Sequence, residues 1–262
     1  MPIFGPTMEK TTDNLNRSLT QDQINTFHRE GFAVIGPILD TDALAELRSE
    51  YDRLFDEARG DARYRNLSAD EGAAQRADEG AEAEMLQIMQ CCERSLTFRR
   101  LLYNEQILDI AEDLLGPNIQ LFHDQALFKP AHCGGPIHWH QDNGYWKCLP
   151  ANLVSCWLTL DDVDVANGAM HLIPGSHLAA HTHERGDVLL DASDAVSGVE
   201  PSVVDLPAGG AMFHHCQTLH STPPNHTDRQ RRAFAIHFMT PGTRSAADAM
   251  PVSFARPLLR GN

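Results

Sequence analysis

The chain predicts a mainly β protein with flanking α-helices, and three features of its 262 residues say so. From residue 118 onward, short apolar or alternating runs are broken by Gly, Pro, Asn and Asp, the texture of a sandwich or barrel. The stretches with helical apolar spacing all lie before Gly116-Pro117. Histidine is abundant, at 14 residues, and concentrated after residue 122, so the β half also holds the candidate chemistry.

Taken in order, residues 1–18 are polar and read as a flexible tail. Thr20 with Gln23 has capping-box spacing, and Gly31 supplies the stop, giving a short helix between them. "FAVIGPIL" (32–39) reads as a strand. Asp40 or Thr41 opens a second helix, whose Leu44, Leu47, Tyr51, Leu54 and Phe55 fall on one buried stripe. Residues 59–84 are charged and poor in apolar anchors, as in a mobile loop, a weak helix or a lid over a site. Asn104 opens a third helix through Ile107, Ile110, Ala111 and Leu114, closed by Gly116. The β runs then follow to about residue 240, with a C-terminal tail over 241–262. The expectation is one domain over 19–262: a helical part (19–117) packed on a β-barrel (118–240).

The bulk composition narrows the function. A net charge of −15 with only three lysines (Lys10, Lys129, Lys147) argues against nucleic acid or an anionic membrane surface as partner. No apolar run has the length of a membrane span, and no secretory leader pattern is evident at the N-terminus. Six cysteines without a C-x2-C pair fit reduced thiols, hence a cytoplasmic protein.

The most informative stretch is "HWHQDNGYW" (138–146). On a strand, His138, His140 and Asp142 would face one way. A mononuclear iron oxygenase needs two imidazoles and one carboxylate on one side of the metal, with the other side open. His140-x-Asp142 supplies two of these ligands and needs one distant histidine; His214, His215 and His220 are available. His138-x-His140 is the other choice, a cupin-like start, but the Glu such a site wants is missing from "QDNGY". Arg231 stands eleven residues after His220, beyond a Pro-rich turn. A ligand, a hairpin and then an arginine puts a cation inside the barrel, where its fork suits a carboxylate.

"REGFAVI", "WHQD", "NGAMHLIPGSH" and His220-x10-Arg231 together resemble the phytanoyl-CoA dioxygenase family, over about residues 20–240. The resemblance implies a double-stranded β-helix, a jelly-roll or cupin-like barrel, packed against N-terminal helices. It implies Fe(II), 2-oxoglutarate and O2, with release of succinate and CO2 as a second substrate is hydroxylated or otherwise oxidised. It implies His140, Asp142 and His220 as metal ligands, Arg231 as the anchor of the far carboxylate, and Thr222 as its hydroxyl support. Trp157, eleven before Gly168, matches an aromatic of the cosubstrate pocket, and Gln125 and Lys129 are further matches. Met170 departs from the pattern, since some relatives carry a hydroxyl there.

Residue parity gives a separate argument. In "RRAFAIHF", Arg232, Phe234, Ile236 and Phe238 share one face; Arg231, Ala233, Ala235 and His237 share the other. The bulky face suits helices outside the barrel and the small face suits a ligand-holding interior, so Arg231 is the anion binder and Arg232 faces solvent. The same parity sets Trp157 with Ser155 and Thr159. His138, Asn143 and Trp146 are candidate substrate contacts. Two rival readings are a cupin-like metalloenzyme independent of 2-oxoglutarate and a non-catalytic binding module of the same fold.

Overall fold

The computed structural model describes residues 18–58, 64–68, 83–186, 189–252 and 255–261. Among these, two sheets face each other. The larger has eight strands. Its path runs from Phe32–Pro37 through Gly210–His215, Val154–Thr159, Arg231–Met239, Ile119–Lys129 and Leu86–Met89 to Tyr64–Asn66, with Leu258–Arg260 also on Ile119–Lys129. The smaller sheet has four, in the order Ser202–Val204, Met170–Leu172, His220–Thr222, Ile137–His140. This is a jelly roll, the architecture implied by the family resemblance and one of the sandwich or barrel type predicted by the texture after residue 118.

The helices form where their caps dictate. Thr20 accepts from the Gln23 backbone while the Gln23 side chain reaches back, and Gly31 ends the Gln21–Glu30 helix at φ 85°. Helix Thr41–Glu57 is capped by Asp40 and buries the five residues of its stripe. Helix Glu105–Leu115 starts at Asn104 and stops at Gly116. These helices lie on the outer face of the larger sheet, in one core with Val154, Cys156, Leu158, Phe234, Ile236 and Phe238. A second core fills the space between the sheets: Trp157, Met170, Leu172, Met212, Ala233 and Ala235. The alternation along "RRAFAIHF" is therefore the division between the two cores.

Three expectations need correction. The N-terminal part holds more than its helices and the expected strand at 32–39, which forms as Phe32–Pro37: Tyr64–Asn66 and Leu86–Met89 also join the larger sheet. The C-terminal stretch includes a strand, Leu258–Arg260, and Arg260 pairs with Asp109 and Glu112 of a helix. Arg232 is buried rather than solvated, because Asp161 and Asp52 bind its guanidinium. The lid expected over 59–84 lies mostly outside the described residues; what is described there includes the Tyr64–Asn66 edge strand.

Two bulges set the site. Opposite Arg231–Met239, His237 pairs with His123 but Phe238 pairs with Leu121, so Phe122 is the extra residue. Phe122 and His123 consequently both reach the interior cavity. Opposite His220–Thr222, His220 pairs with His140 but Thr222 pairs with Ile137. That slip turns Ile137, not His138, toward the cavity.

Candidate metal centre

His140 ends one strand of the smaller sheet, His220 begins its neighbour, and the two are direct cross-strand partners with ring centroids 4.2 Å apart. The strand expected to continue to Asp142 stops at His140. Gln141 is still extended (φ −107°, ψ 132°), and Asp142 opens the short helix Asp142–Trp146. One extended residue between them is enough to return the Asp142 side chain to the His140 side. Asp142 Oδ1 lies 3.7 Å from Nε2 of His140 and 3.7 Å from Nε2 of His220.

The protons of this group can be assigned. His140 Nδ1 lies 2.7 Å from the His138 carbonyl and His220 Nδ1 lies 2.8 Å from the Thr218 carbonyl. A carbonyl only accepts, so both Nδ1 atoms carry the proton and both Nε2 atoms present bare lone pairs. Burial pushes both imidazoles down from their ordinary pKa, keeping them neutral. The Asp142 carboxyl lies well below its ordinary pKa despite its burial, with His214 hydrogen-bonded to its Oδ2. Two neutral nitrogens and a carboxylate oxygen thus converge within 4.8 Å with no proton among them. Such a set repels itself without a cation at its centre, so these residues fit a metal ion.

The second oxygen of Asp142 is held from behind. Oδ2 accepts from Ser155 Oγ at 3.1 Å and faces His214 Nε2 at 3.2 Å. Ser155 and His214 sit opposite each other on adjacent strands of the larger sheet. Ser155 was given no site role from sequence, and His214 was weighed only as a third metal ligand, not as a support of Asp142. The available signal was parity, which already set Ser155 on the Trp157 face.

At the other end of the cavity, Arg231 is 1% exposed. Its Nη1 donates to the Leu127 carbonyl at 3.3 Å, while Nε and Nη2 have no hydrogen-bond partner among the described residues. The guanidinium stands 5.8 Å from the centroid of the Trp157 ring. Thr222 Oγ1 is also buried and unpartnered. Burial lowers the Arg231 pKa to about 10, which leaves it charged at neutral pH. A buried cation with two idle donors and a nearby idle hydroxyl fits a carboxylate, which would engage all three. One cavity of about 360 Å³ is lined by the triad, Arg231, Thr222, Trp157, Gln125 and Trp146.

The structure thus brings together eight of the eleven residues picked out from sequence. Lys129 is not among them. It is fully buried across from Arg231, but its Nζ donates to the carbonyls of Gly135, Thr222 and Pro223, outside the cavity. It ties down the turn after His220–Thr222 and has no donor left for a ligand. His138 is turned away by the bulge that admits Ile137. Asn143 uses its side-chain oxygen to accept from the Cys148 backbone at 2.8 Å and does not line the cavity. With His138 outside, the His138-x-His140 alternative loses its geometry.

Comparison with known proteins identifies the family. The phytanoyl-CoA dioxygenase family profile matches residues 27–233, well over half the chain. The chain belongs to the phytanoyl-CoA dioxygenase family. One relative is the probable alpha-ketoglutarate-dependent hypophosphite dioxygenase of Stutzerimonas stutzeri, 32% identical over 161 residues, 58% of this chain and 54% of that protein. The chain therefore spans about half the length of that relative. The ectoine dioxygenase of Halomonas elongata is 27% identical over 241 residues, 84% of this chain and 70% of that protein. Among solved structures, the epimerase SnoN in complex with Fe3+, alpha ketoglutarate and nogalamycin RO aligns at TM-score 0.75 and 24% identity. The alignment covers 91% of this chain and 98% of that one. At that identity the likeness speaks for the shared jelly roll.

Among the described residues, no helix is long and apolar enough to cross a membrane. All six cysteines are free thiols.

Proposed function

We propose that this chain is a non-haem Fe(II)/2-oxoglutarate-dependent dioxygenase. It oxidises an unactivated C–H bond of a small organic metabolite, releasing succinate and CO2. The carrying observation is the pairing, in one cavity, of a proton-free His140–Asp142–His220 cluster with a buried Arg231 that has no anionic partner among the described residues. His140, Asp142 and His220 hold the metal in this reading. Arg231 and Thr222 anchor the far carboxylate of 2-oxoglutarate, and Trp157 forms the wall beside it. Iron and 2-oxoglutarate, when bound, supply the oxidising chemistry through decarboxylation coupled to O2. The protein's part is placement and exclusion of water: Met85, Met89, Phe122 and Trp146 wall the remaining space.

Hypophosphite and ectoine, named for two relatives, differ so much that the family does not fix a substrate. The cavity size and the acidic, lysine-poor chain favour a small metabolite over an acyl-CoA, whose phosphates want cations. The free thiols favour a cytoplasmic location.

The test is an anaerobic titration. Fe(II) with 2-oxoglutarate should give a visible charge-transfer band in the wild type that Asp142→Ala and Arg231→Ala abolish or weaken. On admitting air, succinate should form. A band indifferent to Arg231, or succinate formation indifferent to Asp142, would sink the reading.

A further inference from the structure

The inner face of the larger sheet carries a line of polar side chains of which the oxygenase reading uses only Gln125. Arg65 Nε and Nη2 donate to Gln87 Oε1 at 3.1 and 2.7 Å. Gln87 Nε2 donates to Gln125 Oε1. Gln125 Nε2 lies 2.8 Å from His237 Nε2, and His237 Nδ1 lies 2.7 Å from Ser155 Oγ. Ser155 Oγ meets Asp142 Oδ2 at 3.1 Å. The five residues before Asp142 come one from each of five consecutive strands of the sheet, so the line crosses strand by strand.

Its direction is fixed from both ends. A guanidinium only donates, so the Gln87 oxygen faces Arg65 and its amide nitrogen faces Gln125. Gln125 then turns its own nitrogen to His237, whose Nε2 must be the bare acceptor. His237 therefore carries its proton on Nδ1 and gives it to Ser155 Oγ. With that oxygen already accepting, the Ser155 proton goes to Asp142, and a carboxylate only accepts. Every bond points the same way, and the interior members Ser155, His237 and Gln87 are buried.

We propose that His237 is a positioning residue for Asp142. It sets the orientation of the Ser155 hydroxyl, which binds Oδ2 and leaves Oδ1 directed at His140 and His220. The relay makes metal affinity depend on side chains that line the outer cavity wall, Gln125 and Gln87 among them. This rests on the reading of Asp142 as a metal ligand.

The experiment is Co(II) binding to the metal-free protein by anaerobic calorimetry, without 2-oxoglutarate or turnover. Ser155→Ala should weaken Co(II) binding about 10- to 100-fold, the range for outer partners of metal ligands. His237→Leu should weaken it less, since Ser155 stays but loses its orientation. The double variant should bind no more weakly than Ser155→Ala alone, because both lie on one path. His237→Asn places an amide N–H near the Nδ1 position and should restore binding to about threefold of wild type. His237→Gln places its amide near the Nε2 position and should not, although it fills the space better. The proposal fails if Ser155→Ala binds Co(II) like the wild type, if the single effects add, or if Gln rescues as well as Asn. Should His237→Leu not fold, the Asn and Gln pair decides alone. A wild type that binds no Co(II), or binds it independently of Asp142, overturns the metal-site reading itself.

Discussion

Arg231 and Arg232 are neighbours in the chain, both buried, on opposite faces of one strand. Arg232 points out of the barrel, where Asp161 and Asp52 bind its guanidinium at 2.7 and 2.9 Å. Arg231 points in, where one donor reaches a carbonyl and two have nothing among the described residues. Even the pKa directions differ: the carboxylates around Arg232 outweigh its burial and raise it, while burial dominates at Arg231 and lowers it. A buried cation whose partners are supplied by the protein is part of the frame. One without them is built for something that arrives later.

The contrast can be broken most forcefully at Arg231. Arg231→Met should raise the KM for 2-oxoglutarate about 100-fold or more, as expected for a buried charge pair losing one partner. The same variant should melt at a higher temperature than wild type when both lack ligand, since an uncompensated buried charge is gone. A lower melting temperature with unchanged KM would mean that Arg231 is structural. Arg232→Met should do the opposite, losing about 2–3 kcal/mol of stability by stranding the half-buried Asp161 and leaving KM alone. Thr222→Val keeps the shape but removes the hydroxyl, and a KM rise of about fivefold, near 1 kcal/mol, is expected in steady-state kinetics.

Acid provides a gentler test of the same interior. Burial depresses His215 and His237 to about 4, below the ordinary histidine value. Such groups take up protons more readily in the unfolded chain, so their contribution is complete above about pH 6.5. It is lost as the pH falls toward 4. Melting temperature should therefore fall steadily across that window, and His215→Phe should flatten the slope. A flat profile in the wild type would refute the burial of these rings.

Much of this was legible in the sequence, because local rules and the tertiary fold agree. Thr20, Asp40, Asn104 and Gly31 mark helix ends by their own chemistry. The alternation from Arg231 to Phe238 needs only a period of two to separate helix-facing from cavity-facing residues. What was missed depends on register between distant strands. His138 looked equivalent to His140 until a bulge put one extra residue into the Ile137–His140 strand and reversed the alternation. Lys129 shares the Arg231 neighbourhood, and only the path of three carbonyls shows that its charge is already used. Leu86–Met89 is four residues without alternation, and nothing local declares it a strand. Ser155 and His237 were on the correct face by parity, but their connection to Asp142 requires knowing which strands are neighbours.

The proposed iron ligands His140 and His220 belong to the smaller sheet, and Arg231 with Trp157 to the larger. A diacid held at one end by metal and at the other by guanidinium would rivet the two halves of the sandwich together. Loading and rigidity are then one equilibrium: at 100 times its dissociation constant such a ligand adds about 2.7 kcal/mol against unfolding. Proteolysis or heat would consequently act as an assay for occupancy, with the metal alone and the diacid alone each protecting less than the two combined.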